Sequence, residues 1–303
     1  MGVIGIDVGG TSIKGARFAA DGTIVRRSVV PTPQHDVAGT VRTLAAELVD
    51  DSAGAHDGTD SAVTAVGVAV PGIVEDGVVR YATNLAWRDV PLRALLTDAL
   101  GLPVTVAHDV SAAALSEAGT GELLYVSLGT GIGAAVVAGG QVRRGATGQV
   151  AELGHIPVRP DGEPCACGQR GCLEVYASAA GVARRYGVSG ATSADVLARL
   201  GSDAAADAAW SDAVTALGLA LATATLLLDP ARIVLGGGLA QAGEVLLEPV
   251  RVALAGRLTW RPAPPVLGAR YGLDAGVRGA ALLAERLPAR TAGSDAGEVG
   301  RAR

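Results

Sequence analysis

Glu152 to Glu174 reads ELGHIPVRPDGEPCACGQRGCLE and holds all three cysteines of the 303-residue chain, Cys165, Cys167 and Cys172. With His155, ten residues before the first of them, they offer four soft or borderline ligands. That number fills a tetrahedral zinc shell and leaves no open position for a reacting molecule, so such a zinc is structural. Gly168 and Gly171 suit the tight backbone turn that a knuckle around an ion requires. The competing reading is one disulfide and a spare thiol, against which stand the odd cysteine count and the cytoplasmic character of the chain. Glu152 and Glu174 bracket the knuckle, so an ion that pins this loop also fixes two acceptor carboxylates in space. That is a way to build a rigid polar pocket.

The length allows about two domains, each with a core of its own. A net charge of -5 provides no basic stripe to displace counterions, which argues against a nucleic-acid partner. The apolar run from Ala213 to Leu228 is sixteen residues long and ends at Asp229 and Pro230. It is short for a membrane span and reads as a buried helix. The opening MGVIGIDVGG has no basic stretch or cleavage site, and Ile6 stands where a myristoylation signal has Ser or Thr. The expectation is a cytoplasmic protein without a membrane partner.

Taken in order, Val3 to Asp7, Ile13 to Ala19 and the run through Val30 form a meander turned at Gly9-Gly10-Thr11-Ser12 and Asp21-Gly22. Val41, Leu44, Ala45 and Leu48 then mark one face of a helix, followed by a polar loop over 50–60. Val63 to Val70 is a strand stopped by Pro71-Gly72, Pro91 to Leu100 a helix opened by proline, and Pro103 to Ala107 a strand ending at His108-Asp109. From Leu123 the design repeats: LLYVSLGTGIGAAVVAGGQV again sets strand, Gly/Thr turn, strand and Gly-Gly turn in order. Helices are expected over 173–186, 193–200 and 203–228, a buried strand at Arg232 to Leu235 before Gly236-Gly237-Gly238, a helix near 245–254, a last strand at 265–269 and a last helix at 275–287. The small polar tail 289–303 is expected to be disordered.

Asp7, Gly9, Gly10 and Thr11 stand at a strand end, where bare backbone amides can approach an anion and a carboxylate can hold hydrated magnesium. The same stretch also reads as an ordinary hairpin, and it is neither a Walker loop nor a dinucleotide fingerprint. Gly129-Thr130-Gly131-Ile132-Gly133 occupies the equivalent place in the repeat, so two such turns could grip one polyphosphate from both sides, with Gly237 and Gly238 as a third approach point for a flat base or ribose. Asp109, where a strand hands over to a helix, reads equally as an N-cap or as a general base. Asn84 reads as a turn former or a site residue, and His108 gains interest as the neighbour of Asp109. Trp87, Trp210 and Trp260 read as packing residues.

These motifs in this order resemble the ROK family (repressor, open reading frame, kinase) of sugar kinases and sugar-responsive regulators, over about Val3 to Leu287. The most specific part is Glu152-x-x-His155 followed by Cys165-x-Cys167-Gly168-x-x-Gly171-Cys172-x-Glu174, joined by DVGGT at Asp7, the turn at Gly129 and HDVSAAALSE around Asp109. The resemblance implies an α/β fold of the actin-like (ribonuclease H-like) two-lobed ATPase type with a structural zinc knuckle over 155–172. Residues 1–108 would form the first lobe, with the final helix packing back on it, and 109–274 the second.

It further implies an ATP-dependent hexose kinase, glucokinase foremost and N-acetylmannosamine or another hexose next. Asp109 would be the base that takes a proton from the sugar 6-hydroxyl. Asn84, His108, Glu152, His155 and Glu174 would surround the sugar, with His155 also joining Cys165, Cys167 and Cys172 on zinc. Asp7, Gly9, Gly10, Thr11, Thr130, Gly131 and Gly133 would meet magnesium and the phosphates, and Gly237 and Gly238 the nucleoside. A homo-dimer or tetramer is implied as well. His108 replaces a usual Asn, and Ala151 a frequent Gly, which bears on the hydroxyl pattern accepted. Three other readings compete: a repressor, which needs a helix-turn-helix for which there is no room ahead of Val3; a zinc hydrolase, disfavoured by a closed ligand shell; and a catalytically silent sugar-binding protein, which would not need Asp109.

Overall fold

A computed structural model describes residues 2–50, 62–119 and 121–288. The tail 289–303 and nearly all of the loop 50–60 lie outside the described residues.

The first lobe is built on strands Gly2–Val8 (β1), Ser12–Phe18 (β2), Ile24–Pro31 (β3), Val63–Val70 (β4) and Val104–His108 (β8), ordered β3-β2-β1-β4-β8. The second carries Leu123–Leu128 (β9), Ile132–Ala138 (β10), Gln141–Val142 (β11), Arg232–Gly236 (β12) and Val266–Gly268 (β13), ordered β11-β10-β9-β12-β13. In each sheet the first strand pairs antiparallel with its hairpin partner and parallel with the strand on its other side. The repeat read from the two Gly/Thr turns is thus a repeat of topology.

A third sheet, of Ile73–Glu75 (β5), Val78–Ala82 (β6) and Trp87–Val90 (β7), was not expected from the sequence. Its strands are short, and Asp76, Ala86 and Asp89 adopt the left-handed conformation that non-glycine residues seldom take. Helices Val37–Val49 (α1) and Leu92–Leu100 (α2) close the first lobe's outer face; Val41, Leu44 and Leu48 meet Ile4, Ile6 and Val8 in one core. Val3 of β1 joins a second core on the other face, because the strand is covered on both sides.

What covers the inner faces decides the architecture. Asp109–Ala118 (α3) follows β8 yet packs on the other sheet, where Val110, Ala114 and Leu115 meet Tyr125, Ala135 and Val137. Ala275–Glu285 (α9) follows β13 and packs on the first sheet, where Val277, Ala281 and Ala284 meet Val3, Ala16 and Ala65. The two helices cross at backbone contact. A Cβ on Gly279 would lie 1.7 Å from the Ala112 carbonyl oxygen, and one on Gly67 would lie 1.8 Å from that of Ala280.

The rest of the second lobe is helical: Leu173–Ala177 (α4), Ala179–Tyr186 (α5), Ser193–Ala198 (α6), Ala204–Leu228 (α7) and Glu244–Ala255 (α8). The expected single helix over 173–186 breaks at Ser178, whose hydroxyl caps α5 by accepting from the Gly181 amide at 2.9 Å. Among the described residues α7 alone is long and apolar enough to cross a membrane, and more than half of that stretch is buried in the protein. Its Leu217 and Leu221 pack with Leu124, Val126 and Leu128 of β9. Trp87 and Trp210 are core residues, whereas Trp260 is 77% exposed and packs nothing away from water.

The crossing yields a prediction. Gly279→Val should destabilise the protein by at least about 1–3 kcal/mol, because backbone cannot yield as a side chain can; urea unfolding followed by far-UV dichroism reads it. Substitution at Gly238, where φ is -62° and an added Cβ meets nothing, makes the control for a tight contact.

Candidate active site between the lobes

Asp7 is the last but one residue of β1 and faces α9. Its carboxylate lies against Gly276, where a Cβ would come within 2.7 Å of Cγ. Asp7 is half-buried, and the surrounding protein removes enough water to push its pKa up to about 7 from an ordinary 3.8. Burial is the main cause. The Asp109 charge adds to it, Lys14 opposes it and Asp274 adds a smaller repulsion.

The turn after Asp7 is held by three bonds: Gly9 N to Ser12 O at 3.0 Å, Thr32 Oγ1 to Gly9 O at 2.6 Å and Thr32 N to Thr11 O at 3.0 Å. Gly10 and Thr11 are left exposed. Asn84, in the short turn Thr83–Leu85, stands beside this loop, its Cβ 3.6 Å from where a Cβ on Gly10 would be.

Asp109 is the first residue of α3, not its N-cap; the cap position belongs to His108. Asp109 Oδ1 accepts from the Val110 amide at 2.7 Å and lies 3.1 Å from His108 Nε2. Both contacts fall on Oδ1. Val110 then packs where Gly133 has no side chain, since a Cβ there would meet Val110 Cγ2 at 2.7 Å. So the start of α3 touches the second glycine turn.

That turn is tied to the cysteine loop. Gly129 N donates to Gly131 O at 2.9 Å, and Gly129 O accepts from Ala179 N at the start of α5 at 2.9 Å. Glu174 Oε2 accepts from Ile132 N at 2.8 Å, and a Cβ on Gly131 would lie 2.5 Å from the same oxygen. This structural bond of Glu174 was not legible from its place in the motif. Gly237, at φ 84°, packs against the backbone of Leu128, while Gly238 has open space before it.

The cysteine loop folds as the donor set requires. The His155, Cys165, Cys167 and Cys172 ligand atoms all lie within 4.8 Å of one another. Cys167 Sγ and Cys172 Sγ are 3.7 Å apart, and Cys165 Sγ is 3.9 Å from His155 Nδ1. A tetrahedron with metal–sulfur bonds of about 2.3 Å has edges of about 3.7 Å, so the residues fit zinc. The three thiols are free, and 3.7 Å is far beyond a disulfide bond. Burial pushes the Cys172 thiol up to about 12, a cost that a bound cation relieves.

Gly171, at φ 70°, passes so close that a Cβ would strike the Arg159 carbonyl oxygen. Behind the loop the Tyr176 ring lies between the Arg159 and Arg185 guanidiniums, 4.6 and 4.9 Å from its centre. Its hydroxyl accepts from the Glu163 amide at 2.9 Å. Asp212 of α7 pairs with both arginines and Glu163 with Arg184 and Arg185.

A cavity of about 300 Å³ opens between the lobes, its wall including Gly72, His108, Ser111, Arg143 and Glu152. Of the residues expected around a sugar, His108 and Glu152 line this cavity, and Asn84, Asp109, His155 and Glu174 do not.

A model of the ROK family matches residues 3–287. The chain belongs to the ROK family. Its ROK relatives include the glucokinase of Halalkalibacterium halodurans, 37% identical over 272 residues, which are 80% of this chain and 82% of that one. Among solved structures, a ROK hexokinase from Thermus thermophilus superposes with a TM-score of 0.82 at 34% identity, covering 94% of this chain and 98% of the other. A ROK glucokinase from Streptomyces griseus, solved with glucose and AMPPNP, gives 0.79 at 33% identity over 94% and 99%. The fold is therefore the actin-like two-lobed one.

Asp7 makes the apoprotein pH-sensitive. A raised folded-state pKa means that the protonated acid stabilises the fold, and this contribution is lost as pH climbs from about 4 through about 7. Asp7→Asn should therefore melt above the wild type at pH 8 without magnesium, and the gap should shrink towards pH 5 in differential scanning calorimetry.

Proposed function

We propose that this ROK protein transfers the γ-phosphoryl group of ATP to the 6-hydroxyl of a hexose, with glucose the leading substrate and N-acetylmannosamine or another hexose the alternative. That it is an ATP-dependent sugar kinase rests on its family and its glucokinase relatives; the sugar, the hydroxyl and the residue roles are our reading. The observation that carries those roles is the seat of Asp109. It stands at the carboxyl end of β8, where open α/β sheets present ligands, and within electrostatic reach of Asp7 at the first glycine turn.

Since the Val110 amide and His108 both engage Oδ1, Oδ2 is left to take a proton. The O–H bond of the sugar hydroxyl breaks towards Oδ2, its oxygen forms the new bond to the γ-phosphorus, and ADP leaves with the electrons of the broken bridge. Catalysis then rests on alignment and on neutralising charge. Gly9, Gly10, Thr11, Thr130, Gly131 and Gly133 would cradle the phosphates from two sides, and Gly237 and Gly238 would bear the nucleoside.

Asp7 would hold magnesium, which supplies positive charge where the phosphates gather and relieves a carboxylate that burial makes hard to ionise. Asn84, Glu152, His155 and Glu174 would hold the sugar hydroxyls, with His108 orienting Asp109 and reading one hydroxyl. Zinc on His155, Cys165, Cys167 and Cys172 would be structural: Nδ1 of His155 faces the thiols, which leaves Nε2 for the sugar. The fourfold protein shell disfavours a hydrolytic metal.

Asp109→Asn should lower kcat by about 10²–10⁴-fold in a coupled ADP-release assay while the calorimetric affinity for the sugar stays within about threefold. Near-normal turnover would remove Asp109 from the mechanism. Cys167→Ser should lose its zinc by elemental analysis and weaken sugar binding by about 10–100-fold; retained zinc stoichiometry would refute the ligand set.

A further inference from the structure

The cavity between the lobes extends well past His108 and Glu152. Its wall includes none of Asn84, Asp109, His155 and Glu174, and none of the glycine turns at Gly9, Gly129 and Gly237. It takes in Thr105 near the start of β8, Leu115 in the second turn of α3, Gln141 of β11, and Leu283 and Arg286 at the end of α9. These elements run away from the reacting groups. α9 starts beside Asp7, and at about 1.5 Å per residue Arg286 lies roughly 15 Å further along. β10 likewise runs from the second glycine turn to the hairpin at Gly139-Gly140, where Arg286 Nη2 donates to the Gly140 carbonyl at 3.2 Å. The cavity is therefore a groove with one end at His108 and the other at this arginine.

The far end is basic. Arg143 and Arg144, which follow β11, line the same groove, and among the described residues of its wall Glu152 is the only carboxylate. Other arginines are committed to carboxylates, as Arg27 is to Asp274 and Arg251 to Glu244. Among the described residues the guanidiniums of Arg143 and Arg144 have no partner, and that of Arg286 has a neutral carbonyl. In a chain of net charge -5, three guanidiniums on one groove, none spent on a carboxylate, make a place for an anion.

Guanidinium forks match the oxygens of a phosphate. Between the basic end and His108 the wall offers hydroxyls and amides at Thr105, Ser111, Gln141 and Gln149, with apolar contact at Leu115 and Leu283. That mixture suits a sugar ring, which has hydroxyls on its rim and C–H groups on its faces. A volume of about 300 Å³ is at the low end for small-molecule pockets, the size for one ring and its ester rather than a longer chain.

We propose that this groove binds a phosphorylated monosaccharide, with the phosphate held by Arg143, Arg144 and Arg286 and the ring lying between Thr105 and Gln141. The site is separate from the one that the kinase reading gives to the acceptor sugar, and it does not depend on that reading. Its ligand can come from the protein's own reaction, as a hexose 6-phosphate, or from another enzyme, as a 1-phosphate.

Calorimetry on the zinc-loaded protein tests this with the reaction site already filled by saturating glucose and magnesium-AMPPNP. Glucose 6-phosphate or glucose 1-phosphate should still bind with Kd below about 1 mM, and the tighter of the two names the source. Inorganic phosphate should bind at least about tenfold more weakly, since it lacks the ring. Arg143→Ala combined with Arg144→Ala, and Arg286→Ala separately, should each weaken the ester by at least about tenfold. Both variants should keep kcat and KM for glucose and ATP within about twofold of wild type in the ADP-release assay.

No binding of either ester, by calorimetry and by equilibrium dialysis of the radiolabelled compounds, would overturn the inference and leave the kinase reading standing. Unchanged ester affinity in either arginine variant would do the same. Inorganic phosphate held as tightly as the esters would also overturn it, by showing a charged surface without a sugar site. A wild type that releases no ADP with any hexose would defeat the kinase reading alone, because the ester titration needs no turnover.

Discussion

The structure depends on one contact: the crossing of α3 and α9, where Gly279 lets two helix backbones touch at Ala112. Each helix begins at the last strand of one sheet and packs on the inner face of the other. The exchange has a chemical consequence. Asp109 stands on the start of one of these helices and Asp7 beside the start of the other, so both carboxylates belong to the joint between the lobes. Small residues make that geometry available; Ala69, Ala112 and Ala280 form a separate cluster at the joint.

A second constraint runs through the second lobe. The cysteine loop fixes the start of α4, α4 carries Glu174, and Glu174 holds the Ile132 amide at the second glycine turn. A metal at the knuckle and a phosphate at that turn would thus share one carboxylate between them. The far side of the loop is braced as firmly, by Tyr176 stacked between two arginines whose charges Asp212 and Glu163 meet. A single zinc could not orient a sugar pocket unless the loop around it were itself anchored to the core. Here the anchoring runs into α5 and α7.

Most of the framework was legible before any coordinates. The apolar runs ending in Gly/Thr turns mark β1, β2, β9 and β10, and their repetition anticipates two sheets of one topology. Sequence periodicity locates α1 because Val41, Leu44, Ala45 and Leu48 are all buried. The small sheet β5-β6-β7 escapes the pattern because its strands are only three to five residues long and left-handed Ala86 and Asp89 interrupt the run where no glycine stands, although Asp76-Gly77 marks its first turn. Helix exchange was equally hidden, since no local pattern says which sheet a helix will cover. At the site, the cysteine spacing revealed the donor cluster, whereas the bond of Glu174 to Ile132, 42 positions away, left no local trace. His108 occupies the N-cap position of α3 without a capping side-chain bond, which puts Asp109 one position past its expected cap, a difference too fine for propensity to resolve.

The most direct test of an active site assembled at this joint is a crystal structure of the zinc-loaded protein with glucose and magnesium-AMPPNP. The account predicts the phosphates between Gly9–Thr11 and Gly129–Gly131, and the glucose 6-hydroxyl within hydrogen-bond reach of Asp109 Oδ2 and in line with the γ-phosphorus. A nucleotide or sugar bound elsewhere, or a glucose turned so that another hydroxyl meets Asp109, would contradict it.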